Sequence, residues 1–192
     1  KNSRVPVTFF CYYLFSYRFA WFFNELSNFI NAFILKDLNF GIDFAINIDS
    51  MQEMTATTVN EYLDFIEKHI SEEGFFYFQN TFANSSQGIS EPSEYEFDDY
   101  WTIDLAEILD SVDLSCCSDY LRIIFRRTNK KRNRETRKYI LRVIWNSLLT
   151  GIIQNHTSSI KTLVNISNNG LDFNEVELQV EEILKNEFLS SY

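Results

Sequence analysis

Five polar side chains, Asn47, Asp49, Ser50, Gln52 and Glu53, fall within seven residues at the end of the apolar run IDFAINI. Asp49 and Glu53 offer carboxylates for hydroxyl binding, proton abstraction or a metal, while Asn47 and Ser50 would orient a ligand by hydrogen bonds. Gln79 and Asn80 close a second apolar run, FFYF, and lie beside the first cluster if the two runs are parallel neighbours. The plainer account is a solvated loop with a helix cap, and turn formation for Gln79 and Asn80. Position tilts the balance, because the carboxyl ends of buried parallel strands are where open α/β sheets bind ligands.

The elements that would hold these groups are legible from pattern. Residues 42–48 are β-branched and aromatic with both faces mostly apolar, as a buried parallel strand requires. Thr55 or Thr57 can cap a following helix in which Val59, Tyr62, Leu63, Ile66 and Ile70 recur at helical spacing. Gly74 ends the connection, and residues 75–78 make the second buried strand. Upstream, residues 8–26 carry apolar groups on nearly every face and read as a largely buried helix, with a short strand at 31–35. Downstream come a Ser, Asn, Gly and Pro loop over 81–93, a strand or short helix over 100–109, and a strand over 121–125. The late pair suits the antiparallel edge of a mixed sheet. Ile140, Leu141, Ile144, Trp145, Leu148, Leu149 and Ile152 form one helical stripe. A last helix starts near Asp172 or Asn174, after a turn at 168–170.

Composition narrows the function. A chain of 192 residues, 45% hydrophobic, buries one core and fits one domain with an appendage. Its 5 glycines form neither GxGxxG nor GxxxxGK[ST], so the usual phosphate-cradling turns are missing. Residues 5–23 are interrupted by Arg18 and by Tyr and Ser, short of the roughly 18 apolar residues of a membrane span. Cys11, Cys116 and Cys117 read as reduced thiols of a cytoplasmic protein, and no CxxC pattern occurs. His69 reads as a surface or capping residue, and His156 as one held by the carboxyl-end dipole of a preceding helix, so no Ser-His-Asp or Cys-His arrangement is supported.

Charge is segregated. Residues 91–119 hold ten carboxylates and no cation, and residues 122–142 hold ten cations against Glu135 alone. A basic run invites an anion-surface or nucleic-acid reading, yet the net charge is -10 and no nucleic-acid motif accompanies it. Pairing of the two runs is the better account, with the helix proper starting near 133–135.

The stretch FGIDFAINIDSMQEMTATTVNEYLDFIEKHISEEGFFYFQN resembles the fourth strand, following helix and fifth strand of class I S-adenosylmethionine-dependent methyltransferases. INIDSMQEM with the later YEFDDYW is similar to the sugar O-methyltransferases of bacterial surface-polysaccharide pathways. The resemblance implies an α/β fold: a partial Rossmann-like mixed sheet over residues 1–128 made of the later strands of that family, with a helical extension over 129–192. It implies S-adenosylmethionine as cofactor, flanked by Asn47 and Ser50. Asp49 and Glu53 then orient the acceptor or act as general base, and Gln52, Gln79 and Asn80 contact a sugar or polysaccharide hydroxyl. The family's glycine-rich first turn and ribose-binding acid have no counterpart, and the chain opens on Lys1. The expectation is therefore a carboxyl-terminal part, inactive alone. The alternative is a non-catalytic module that associates through an open sheet edge.

Overall fold

The computed structural model describes residues 8–12, 41–48, 51, 54–81, 91–109, 120–153 and 156–190. The expected strand at 31–35, and Asp49, Ser50, Gln52 and Glu53, lie outside them.

The chain builds a five-stranded mixed sheet in the order β1-β2-β3-β5-β4. Strands β1 (Thr8–Tyr12), β2 (Ile42–Ile48) and β3 (Ile70–Thr81) are mutually parallel, and helix α1 (Ala56–His69) connects β2 to β3. Strands β4 (Trp101–Leu109) and β5 (Tyr120–Arg127) form an antiparallel pair, as the pattern suggests, but β5 enters between β3 and β4. Three helices follow: α2 (Arg134–Thr150), α3 (His156–Asn168) and α4 (Phe173–Ser190).

Residues 8–12 correct the sequence reading, being a strand and not part of a helix. The run is apolar at nearly every position, which periodicity alone cannot assign to a buried helix or a buried strand. Pairing decides it, from Thr8 opposite Phe44 to Tyr12 opposite Ile48.

Helix α1 starts where Thr55 caps it, its hydroxyl accepting from the Thr58 N–H at 3.2 Å. Val59, Leu63 and Ile66 are buried on one face. Ile70 ends this stripe by leaving the helix: its N–H still reaches the Ile66 carbonyl, but its backbone is extended and opens β3. The second strand thus begins at Ile70 instead of Phe75. Ile42 pairs with Ile70 and Phe44 with Phe75, so β3 bulges over Ser71–Gly74, with Glu73 in the left-handed region at φ 66°. Gly74 is required there, because a Cβ would lie 2.7 Å from Ile70 Cγ1 and 2.9 Å from the Ser71 carbonyl oxygen.

Beyond the bulge β3 alternates, burying Phe76, Phe78 and Asn80. Phe76 stacks on Phe125 of β5, and Phe97 lies against the same ring at 4.4 Å. Trp101, Tyr95, Ile103 and Ile123 fill the rest of this layer.

The helices join the same buried cluster through Ile140, Ile144, Ile160, Leu163, Val176 and Val180. Asn133 caps α2 by accepting from the N–H groups of Glu135 and Thr136, as the charge pattern suggests. Gly151, at φ 66°, ends it. Ile152 is therefore not on the α2 stripe; its N–H turns back to the Ser147 carbonyl at 3.0 Å. Asp172 caps α4 as expected. Asn168, read as a turn residue, does more: its Nδ2 donates to the Ile103 carbonyl at 2.7 Å and its Oδ1 accepts from the Ile103 N–H at 3.3 Å. It occupies the main-chain pair of the edge strand β4 at that residue, beside the bulge between Ile103 and Leu105.

Candidate functional site

The carboxyl ends of β2 and β3 meet as the parallel arrangement requires. Asn47 pairs in register with Phe78, and Asn80 is the next residue of β3 on that face. Asn80 Nδ2 donates to Asn47 Oδ1 at 3.1 Å, with Asn47 1% and Asn80 2% exposed. Among the described residues Asn80 Oδ1 has no hydrogen-bond partner. A buried carbonyl oxygen in that condition costs about 1–3 kcal/mol, so the position is unfavourable to stability unless something donates to it. Beside the pair lies a cavity of about 10 Å³ walled by Asn47, Met51, Met54, Tyr62, Ile66 and Phe76. It admits one water and no larger group.

Gln79 departs from the expected grouping. Successive strand residues point to opposite faces, so Gln79 lies on the other side of the sheet from Asn80, where its Oε1 accepts from the Tyr77 hydroxyl at 2.6 Å. Of the residues expected at the site, the structure brings together Asn47 and Asn80. Asp49, Ser50, Gln52 and Glu53, outside the described residues, are neither placed nor displaced.

A second polar assembly sits at the opposite end of β3, and the sequence reading missed it. Glu67 Oε1 accepts from the Asp98 N–H at 2.8 Å and from Trp101 Nε1 at 2.9 Å. Burial pushes the Glu67 carboxyl above its ordinary pKa, against these two bonds. Arg137 is 2% exposed and donates to the carbonyls of Phe97, Asp98 and Trp101 at 2.6–2.9 Å. Burial lowers its pKa to about 10, still far above neutrality, so the guanidinium is charged there. Arg127 forks onto Asp98 at 2.5 and 2.8 Å, with its Cζ 5.4 Å from the Tyr100 ring centre and 5.2 Å from that of Trp101. The available signal is Glu67 itself, a carboxylate at helical spacing from Leu63 and Ile70.

His69 stands apart from both assemblies. His69 Nδ1 contacts the Phe65 carbonyl oxygen at 2.8 Å and its ring stacks on Phe65, a role in closing the helix. His156 is the first residue of α3. Among the described residues no three His, Cys, Asp or Glu side chains converge to hold a metal ion, and no helix is long and apolar enough to cross a membrane. No protein-family model matches the chain, and no curated protein matches it in sequence.

Proposed function

We propose that residues 40–80 form the acceptor side of an S-adenosylmethionine-dependent O-methyltransferase crevice, acting on a sugar or polysaccharide hydroxyl. The observation that carries this reading is the carbonyl of Asn80, unpartnered among the described residues and held by Asn47 at the carboxyl ends of two parallel strands joined by a helix. Such an oxygen takes an N–H or O–H donor, and both the cofactor and a sugar acceptor supply donors of that kind. The fit is partial, since the described cavity of about 10 Å³ holds no nucleoside, and a glycine-rich turn is missing from the sequence. When bound, the cofactor supplies an activated methyl group. Asn80 holds a donor group in place, Asn47 fixes the orientation of the Asn80 amide, and Asp49 or Glu53 takes the hydroxyl proton.

The alternative of a binding module that pairs through an open sheet edge has less to support it on the β4 side, where Asn168 already fills the Ile103 main-chain pair.

Isothermal titration of S-adenosylmethionine into the full-length gene product tests the proposal. Micromolar binding that weakens at least tenfold in Asn80→Val is the expected result. Absence of heat with both S-adenosylmethionine and S-adenosylhomocysteine would sink it.

A further inference from the structure

At the amino end of β3, remote from the Asn47–Asn80 pair, a cleft of about 260 Å³ opens between Glu67, Glu72, Tyr100, Arg127 and Asn129, with Ile70 and Thr128 completing its wall. We propose that this cleft binds one neutral sugar ring, stacked on Tyr100 and hydrogen-bonded through its hydroxyls to Glu67 and Glu72. The site is independent of the methyl-transfer reading and stands or falls without it.

Four features of the lining select this chemistry. Tyr100 is 40% exposed, an open aromatic surface for the C–H face of a ring. Both bonds accepted by Glu67 go to Oε1, so Oε2 has no partner among the described residues, and Glu72 is exposed and makes no ion pair among them. Arg127 is locked on Asp98 by two bonds and retains further N–H donors. Asn129 adds an exposed amide that both donates and accepts.

An anionic ligand would meet two carboxylates, and an ammonium ligand, which has no acceptor, would leave the remaining N–H donors of the Asp98-paired Arg127 unmet. A hydroxyl donates to the former and accepts from the latter, so a neutral polyol satisfies both walls without a like-charge contact. The volume lies just under the roughly 300–1,000 Å³ of drug-sized ligand pockets, which fits a single ring. The fixed geometry of Arg127, Glu67 and Trp101 means that little ordering is needed on binding.

Saturation-transfer NMR on the intact chain tests this, with methyl β-D-glucopyranoside, methyl β-D-galactopyranoside and methyl α-D-mannopyranoside as probes. Saturation of the ring protons of at least one glycoside is expected. Tyr100→Phe should keep the signal, Tyr100→Ala should abolish it, and Glu72→Gln should weaken binding by about tenfold, the size of one charge-assisted hydrogen bond. Circular dichroism on each variant shows that the fold is retained, and Glu72 is exposed enough to be replaced without disturbing the core. No saturation of any glycoside overturns the proposal, as does a signal that survives Tyr100→Ala. Stronger saturation of butylamine or acetate than of the glycosides overturns the assignment to a neutral ring.

Discussion

Replacing Asn80 by Val separates an oxygen kept free for a ligand from one engaged in the folded chain. In the native protein one buried bond joins Asn80 Nδ2 to Asn47 Oδ1 at 3.1 Å, and Asn80 Oδ1 has no donor among the described residues. The substitution removes the bond, about 0.5–1.5 kcal/mol, and also removes the bare oxygen, returning about 1–3 kcal/mol. Asn47 Oδ1 is deprived of this donor at a cost of the same size as that relief. The two desolvation terms cancel, and Val suits a strand at least as well as Asn does. The net loss expected is about 1 kcal/mol, unusually small for a residue 2% exposed.

Urea unfolding with an unchanged m-value measures this directly, and a melting temperature lowered by about 2–4 °C should accompany it in a chain of this size. A loss of about 3 kcal/mol or more would refute the reasoning. It would mean that Asn80 Oδ1 is satisfied in the free protein, leaving no acceptor to offer. A small loss combined with unchanged ligand affinity in the full-length gene product would refute the functional half, since the oxygen would then be dispensable to both.

Arg137→Met should cost about 3–5 kcal/mol in the same unfolding assay, because it strips donors from three main-chain carbonyls while gaining only apolar packing; a neutral result would show those carbonyls to be hydrated. Glu67→Gln should change how stability varies with pH. Burial raises the native pKa above 4.5, so the folded state holds this proton more tightly than the unfolded state does. The stability it contributes is full below 4.5 and is lost as pH rises through the folded value. Unfolding curves between mildly acid and neutral pH should therefore show native stability falling relative to the Gln variant as pH rises, and the opposite slope would contradict the burial of Glu67.

Legibility in the sequence followed the range of the interactions. β2 and α1 are set by local signals, a two-faced β-branched run and a Thr55 cap followed by Val59, Leu63 and Ile66. From these, parallel pairing alone places Asn47 beside Asn80. Strand alternation separates Gln79 from Asn80 by face, a signal that their adjacency in sequence masks. Ile70 and Ile152 mark a different limit: each continues the apolar spacing of a helix that has already ended, one by turning extended and one by passing a left-handed glycine. Helix α3 escaped because Ser, Thr and Asn dilute its pattern, although Ile160, Leu163, Val164 and Ile166 are buried. The Glu67 and Arg137 networks depend on partners across the fold, which no window of sequence contains.

The charge segregation shows what a long-range feature can still reveal. The acidic run meets the basic run in nearly reversed order, from Glu107 with Arg122, through Asp104 with Arg126 and Asp98 with Arg127, to Glu96 with Arg134 and Lys138, and Glu91 with Arg142. Lys131 joins Asp99 at 2.9 Å. Solvated pairs of this kind contribute about 0–1 kcal/mol each, so their sum is not what holds β4 to β5. Their effect lies in register, because antiparallel pairing brings early acids opposite late bases, and a slip along the ladder would separate these pairs and turn core residues outward. Arg137 and Arg132 spend donors on main-chain carbonyls instead. A run whose cations are so extensively engaged within the chain is a poor counterion for phosphate, and its concentration between 122 and 142 is explained by the acids that precede it.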